Sequence, residues 1–450
     1  MNHRMFVAAL VLSAPVAGFV ASGCGDDEEL RAADAGTFEA GTVPETGPAP
    51  GGDGGDAAVP SKCGSAAGAP QRLLLTMNNT TTSEVAAFNL ADKKVDGRFT
   101  FGGGLGQTSS LGSDPYVVEQ KNDLVARMDA KRPWEPLATW SVVGDDKADG
   151  GDPNAQPIAV VVPDCDKGYV LRFNRNKIAV IDTNQVADGG AAVSYLDLSS
   201  LVQAGDNDGL VDMTAAYYVP TKKRIYVLLG NYDRTTVQAP DYSLICKSTK
   251  ASIVAIDTTT GLLVSLGGTA PGGGIALDNY NPVVGTPMAY DAARDRLLVF
   301  QGGCNTDAGG GAAGPLTKRA VEEVDLATGQ VKTLVHLDDK GFPGSFVYVD
   351  GNRAALTFFF PNQAFFWDPS KTTLGAEIPG AFDYVAHDGK GNIVGGRRTT
   401  VDGGAVIDIL SVPFSGGDAG VDAATVQKLG QNPFTTNSGY LGGAEVWPRP

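Results

Sequence analysis

Short apolar runs recur along the chain, each opened by a turn of charged, Gly or Asn residues. One series reads RLLLTM (72–77), DLVARM (123–128), GYVLRF (168–173), RIYVLL (224–229), RLLVFQ (296–301), RAALTF (353–358) and NIVGGR (392–397). A shorter apolar stretch precedes each of these except the first: PYVVEQ (115–120), PIAVVV (157–162), TAAYYV (214–219), TPMAYD (286–291), GSFVYVD (344–350) and FDYVAH (382–387). Another segment follows each: EVAAFNL (84–90), PLATWSVV (136–143), KIAVID (177–182), SIVAID (252–257), AVEEVD (320–325), QAFFWD (363–368) and AVIDIL (405–410). A further segment closes some units, as in AVSYLDL (192–198), LLVSLG (262–267) and VKTLVHL (331–337). Runs of this length, rich in β-branched and aromatic residues and bounded by turn residues, read as strands.

Seven units of about four strands predict an all-β fold, a seven-bladed β-propeller of four-stranded antiparallel blades. Taken at Leu73, Leu124, Tyr169, Ile225, Leu297, Ala354 and Ile393, the second strands start 51, 45, 56, 72, 57 and 39 residues apart. Those intervals fit propeller periods once insertions are allowed, and they leave six or eight blades open. Many runs are apolar at consecutive positions, as expected where stacked blades cover a strand on both sides. The first unit lacks an innermost strand, whereas GYLGGAEVW (439–447) is spare at the C-terminus. Placing that segment inside the blade begun at Arg72 closes the ring and pairs its open edges.

The units GYVLRFNRNKIAVIDTNQ (168–185) and RIYVLLGNYD…SIVAIDTTTGLLVSLGG (224–268) resemble the YVTN-type repeats of bacterial surface and exported propellers. The resemblance covers blades three to five and speaks for fold more than for function.

The N-terminus adds an address. Arg4 precedes an apolar stretch from Met5 to Val20, then Ala21-Ser22-Gly23 and Cys24. This resembles a bacterial lipoprotein signal, which implies cleavage after residue 23 and acylation of Cys24. Gly25 stands where an inner-membrane retention signal would place Asp, so the resemblance implies the outer membrane of a Gram-negative-type cell envelope. Residues 24–62, rich in Gly, Ala, Pro and Asp, read as a disordered tether, and residues 63–450 as one propeller domain. A net charge of −16, from 35 Lys and Arg against 51 Asp and Glu, argues against nucleic acid as a partner.

Four further cysteines suit an oxidising compartment. Cys246 and Cys304 fall between second and third strands of adjacent blades, so they share a face and are expected to pair. Cys63 and Cys165 fall on the opposite face and form the other expected disulfide.

An acid ends the third strand at Asp182, Asp257, Asp325 and Asp368, with Asn89 in the first unit. A catalytic acid does not repeat once per blade, so these are read as turn residues whose carboxylates accept backbone N–H groups. Asp206, Asp208 and Asp212 surround Gly209 in AGDNDGLVD (204–212), which leaves a calcium site and a solvated turn between blades as alternatives. The glycine-rich GGGLGQ (102–107) and APGGGIAL (270–277) read as loops. His387 ends an innermost strand where it could face the channel, and His336 ends an outer one. Trp134, Trp140, Trp367 and Trp447 are read as packing residues. No catalytic residue is assigned. The leading reading is a lipid-anchored, non-catalytic binding or scaffold module with an unidentified protein or polysaccharide partner. The alternative is a propeller enzyme of the lactonase or quinoprotein-dehydrogenase type with calcium in its channel.

Overall fold

The computed structural model describes residues 64–449 apart from 80–81, 104–105, 110, 113, 145, 147–153, 164, 185–189, 235–236, 239–242, 247–248, 281–287, 308–312, 360, 381, 402–403, 415–424 and 436–438. The expected Cys24 and Cys63 positions and the tether lie outside the described residues.

Seven sheets form a ring. From the axis outward, blade 1 is Tyr440–Trp447, Arg72–Asn78, Ser83–Asn89 and Lys94–Phe101. Blade 3 is Pro157–Val162, Lys167–Arg172, Lys177–Asp182 and Ser194–Asp197. Blade 4 is Met213–Val219, Arg224–Leu229, Ser252–Asp257 and Leu262–Val264. Blade 5 is Met288–Asp291, Arg296–Asp307, Ala313–Asp325 and Val331–His336, and blade 7 is Tyr384–His387, Asn392–Val401, Gly404–Pro413 and Gln427–Gln431. Blade 6 departs from four strands. Phe342–Asp350, Arg353–Phe359 and Gln363–Trp367 make three, and the outer edge is covered by irregular bonds such as Phe366 N–H to Ala376 O, 3.1 Å.

The ring closes as the spare C-terminal segment requires. Tyr440–Trp447 pairs antiparallel with Arg72–Asn78, from Arg72 opposite Trp447 to Asn78 opposite Tyr440.

Blade 2 corrects the strand assignment read from the sequence. Its innermost strand is Gly106–Ser109, paired with Tyr116–Glu119, followed outward by Leu124–Met128 and Pro136–Ser141. PYVVEQ is therefore the second strand, and the end of GGGLGQ is strand instead of loop. The inner strands of adjacent blades touch around the whole ring, with Gly106–Ser109 between Tyr440–Trp447 and Pro157–Val162. Two short parallel additions are also present. Leu111–Gly112 lines the inner edge of blade 3, and Gly190–Ala191, from blade 3, extends the outer edge of blade 2.

The core is divided among the seams between blades. In Arg224–Leu229, Ile225, Val227 and Leu229 pack towards blade 3, and Tyr226 and Leu228 towards blade 5. All five are fully buried. A strand alternates its side chains between two faces, and here both faces are covered, so the run is apolar throughout. Trp140, Trp367 and Trp447 are buried in these seams, as expected of packing residues.

Strand order gives the ring two rims. Turns from first to second and from third to fourth strands open on one; the remaining connections open on the other. Gly64, the first described residue, bonds through its N–H to Asp114 Oδ1 at 2.8 Å in a first-to-second turn of blade 2. This is the entry rim, and the opposite one is the insertion rim.

Candidate functional site

The long connections of blades 4 and 5 meet on the insertion rim. Residues between Leu229 and Ser252 carry a small ribbon, Val237–Gln238 with Ser243–Leu244. The second and third strands of blade 5 run long, as Arg296–Asp307 and Ala313–Asp325, and project as an arm. Cys246 and Cys304 join the two in a disulfide, with Cα atoms 5.1 Å apart. Beside it the Cys246 N–H donates to Asn305 O at 2.9 Å. Cys165 is also disulfide-bonded, on the entry rim, while its expected partner Cys63 lies outside the described residues.

The structure brings Asp206, Asp208 and Asp212 together, with one carboxylate oxygen from each lying within 4.8 Å of the other two. They sit in the connection from blade 3 to blade 4. Asn176, in a turn of blade 3, pins this connection from both sides, its Nδ2 donating to Gly209 O at 2.7 Å and its Oδ1 accepting the Val211 N–H at 2.9 Å. Gly209 has φ +70, the left-handed region where glycine bends without strain.

The connection is solvated in part, with Asn207 and Gly209 exposed and Asp206 and Asp208 half-buried. Asp212 is fully buried, and its Oδ2 accepts the Tyr232 N–H at 2.7 Å. Arg234, from the long connection of blade 4, meets Asp212 Oδ1 with Nε at 2.8 Å and with Nη2 as well. The same guanidinium donates to Asn174 Oδ1 at 2.7 Å and Phe173 O at 3.0 Å, and lies 4.4 Å over the Phe173 ring. Asp208 accepts the Arg234 N–H at 2.9 Å and the Leu210 N–H at 2.9 Å. Asn207 bridges to Asp233 at 2.8 Å. Burial, reinforced by neighbouring Asp208, pushes the Asp206 carboxyl up to about 7. Burial likewise raises Asp212 to about 8, against the pull of Arg234.

Chemically, three carboxylates offer the hard oxygen donors calcium takes. Arg234 already supplies a positive charge to two of them, so the group works as a latch between blades 3 and 4. Arg234 escaped the reading of the sequence. Its only signal was its place in the long connection, since it lies 22 residues from Asp212 in the chain.

The repeated acids sit where turn chemistry puts them. Asp257 Oδ1 accepts the Thr259 and Thr260 N–H groups at 2.8 and 3.0 Å. Asp325, Asp182 and Asp368 repeat this with the residues following them, and Asn89 does so with Ala91 and Asp92. Backbone N–H donors, that of Thr260 foremost, hold the Asp257 carboxyl below its ordinary value. Asp129 is a further copy, accepting the Lys131 and Arg132 N–H groups at 2.8 and 2.7 Å. It confirms Leu124–Met128 as a third strand. His387 is half-buried at the entry rim, where burial pulls its pKa down, and His336 is exposed.

No protein-family model matches the chain, and no curated protein sequence does. Solved structures are similar in fold. A putative 6-phosphogluconolactonase from Bacteroides uniformis aligns with TM-score 0.52 and 11% identity, over 84% of this chain and 99% of its own. A Lactobacillus plantarum protein aligns with TM-score 0.51 and 13% identity, over 82% and 98%. At these identities the likeness concerns the propeller alone, and the chain is a seven-bladed β-propeller in fold.

Proposed function

We propose that the chain is an exported lipoprotein, held at a membrane surface through acylated Cys24, whose propeller is a non-catalytic binding module working through its insertion rim. One arrangement carries this reading. The chain enters the ring on one rim at Gly64, and the disulfide-tied connections and the acid latch lie on the other. A tether over residues 24–62, with 39 positions, would span about 35 Å as a flexible coil. Loops placed opposite the anchor are free to meet a partner, while the ring behind them stays rigid. The enzyme alternative calls for acids free to hold calcium or a substrate, whereas two of the three clustered acids here, Asp208 and Asp212, hold Arg234.

The reading is tested in two parts. Wild type should incorporate radiolabelled palmitate and fractionate with membranes, and Cys24→Ser should do neither. Photo-crosslinkers at exposed Thr306 on the insertion rim should give a discrete adduct that crosslinkers at exposed Thr259 on the entry rim do not. Equal adducts from both rims would count against the binding face, and turnover of sugar lactones by the purified protein would overturn the non-catalytic reading.

A further inference from the structure

Along the third strand of blade 7, the side chains facing blade 1 run Ile407, Ile409, Ser411. The two isoleucines are fully buried in the seam between these blades, with Val394 and Phe88. At Ser411 the series ends in a small hydroxyl residue, and the seam opens into a cavity of about 190 Å³ at its entry-rim end. Val394 stands opposite Ser411 on the second strand and Gln427 on the fourth, while Leu90 lines the space from a turn of blade 1. A water molecule takes about 30 Å³, so the space equals about six waters. That is below the roughly 300 Å³ at which pockets for drug-sized ligands begin.

The lining divides into an apolar wall and a set of unspent polar atoms. Leu90, Val394 and Leu429 make the wall. Asp388 is buried; its Oδ1 accepts the Lys390 and Asn392 N–H groups at 2.7 and 2.9 Å, and its Oδ2 accepts Asn392 Nδ2 at 2.6 Å. A carboxyl has about four acceptor positions, so Oδ2 keeps one, and Asn392 keeps its second amide hydrogen. The Ser411 hydroxyl and the Gln427 amide have no partner among the described residues. Gln71, whose Nε2 donates to Asp388 O at 2.9 Å, holds a buried Oε1 that no described group meets. Among the described residues no lysine or arginine lines the cavity. Lys428 points to the other face of its strand and pairs with Asp408 at 2.7 Å. Lys390, and Asp92, Lys93 and Lys94 in the facing turn of blade 1, are exposed and outside the lining.

We propose that this cavity binds one neutral sugar ring. Such a ring has hydroxyls that both donate and accept and a C–H face that is apolar. The hydroxyls match Asp388 Oδ2, Asn392, Ser411 and Gln427, and the C–H face matches the wall of Leu90, Val394 and Leu429. A wholly apolar ligand would bury Asp388 Oδ2 and the Ser411 hydroxyl without partners, which is unfavourable. An anion would face the Asp388 carboxyl with no cation in the lining to offset it. An ammonium group would bring three donors to a carboxyl with one position left. The site belongs to the seam that closes the ring, apart from the insertion rim, so it stands or falls separately from the binding face proposed above.

The test is saturation-transfer NMR and calorimetry on the purified full-length protein. The probes are glucose, galactose, mannose, xylose and rhamnose, with glucuronate and butylamine as charged counterparts. At least one neutral sugar should bind with a dissociation constant of about a millimolar, the level a ligand of about a dozen non-hydrogen atoms reaches. Ser411→Leu continues the isoleucine series into the space and should weaken that binding at least about tenfold, with a thermal midpoint no lower than that of wild type. Gln427→Ala, at an exposed position, should weaken it about threefold and decides the matter where the leucine disturbs the fold. Thr306→Leu, on the insertion rim, should bind as wild type does. Binding of none of the neutral sugars, or tighter binding of glucuronate or butylamine than of every neutral sugar, would overturn the proposal. So would undiminished binding by folded Ser411→Leu or by Gln427→Ala, or an equal loss in Thr306→Leu.

Discussion

Replacing Trp447 should weaken the ring at its closure. The side chain is 4% exposed and packs with Leu74, Ala87 and Ala130. Its Nε1–H donates to Ala130 O at 2.8 Å, tying the inner strand of blade 1 to a turn of blade 2. Its backbone stands opposite Arg72 in the pairing that joins the two ends of the described chain. Truncating a buried Trp to Ala costs about 3–5 kcal/mol, the lost hydrogen bond included only in part. Orphaning Ala130 O adds about 1 kcal/mol. Trp447→Phe keeps most of the packing and loses the donor, so about 1–2 kcal/mol is expected. Against a total stability of about 5–15 kcal/mol, the alanine variant loses a large share. Urea unfolding followed by circular dichroism measures both, and hydrogen exchange should quicken along Arg72–Asn78 before other strands. If Trp447→Ala costs less than about 1 kcal/mol, or matches Trp447→Phe, the closing strand is not the fastener this reasoning makes it.

Other consequences concern the insertion rim. Arg234→Gln removes the cation from a buried pair and should cost about 3–5 kcal/mol; calcium should restore part of the loss, read as a thermal shift absent with magnesium, and no rescue would show that the three acids cannot hold the ion. Removing Cys246–Cys304 frees a loop of sequence separation 58; chain-entropy reasoning sets the loss at about 4 kcal/mol, less if the ring already restrains the ends, and urea midpoints of wild type and of the double variant Cys246→Ser, Cys304→Ser, both without reductant so that the bridge at Cys165 stays closed, measure it. Because the raised pKa of Asp206 makes its ionisation in the folded state unfavourable, this group costs stability as pH rises from its unfolded value of about 4 towards about 7. Asp206→Asn should therefore gain on wild type between pH 4.5 and pH 8 in thermal midpoint, and a constant difference across that range would refute the assignment.

The blades were legible because their strands are buried on both sides, which writes a continuous apolar run for each. Pairing of Cys246 with Cys304 followed from counting strands, since each strand crossed moves the chain from one rim to the other. Blade 2 was shifted by one strand for a physical reason. Its inner strand, GQTS, pairs through backbone groups and carries no apolar signature. Asp129, a turn acid like Asp257, held the correct register and was passed over. In the latch the three acids were visible as a local pattern. Arg234, Asn174 and Asn176 were not, because tertiary folding brings them in from separate turns.

The central claim is that the anchored propeller turns its entry rim to the bilayer and its insertion rim away. Fluorophores on cysteines introduced at Lys390 or Thr306 of the lipidated protein, bound to vesicles containing spin-labelled lipid, test it directly. Strong quenching at position 390 with little at position 306 is the predicted result. Equal quenching at both, or the reverse order, would contradict it.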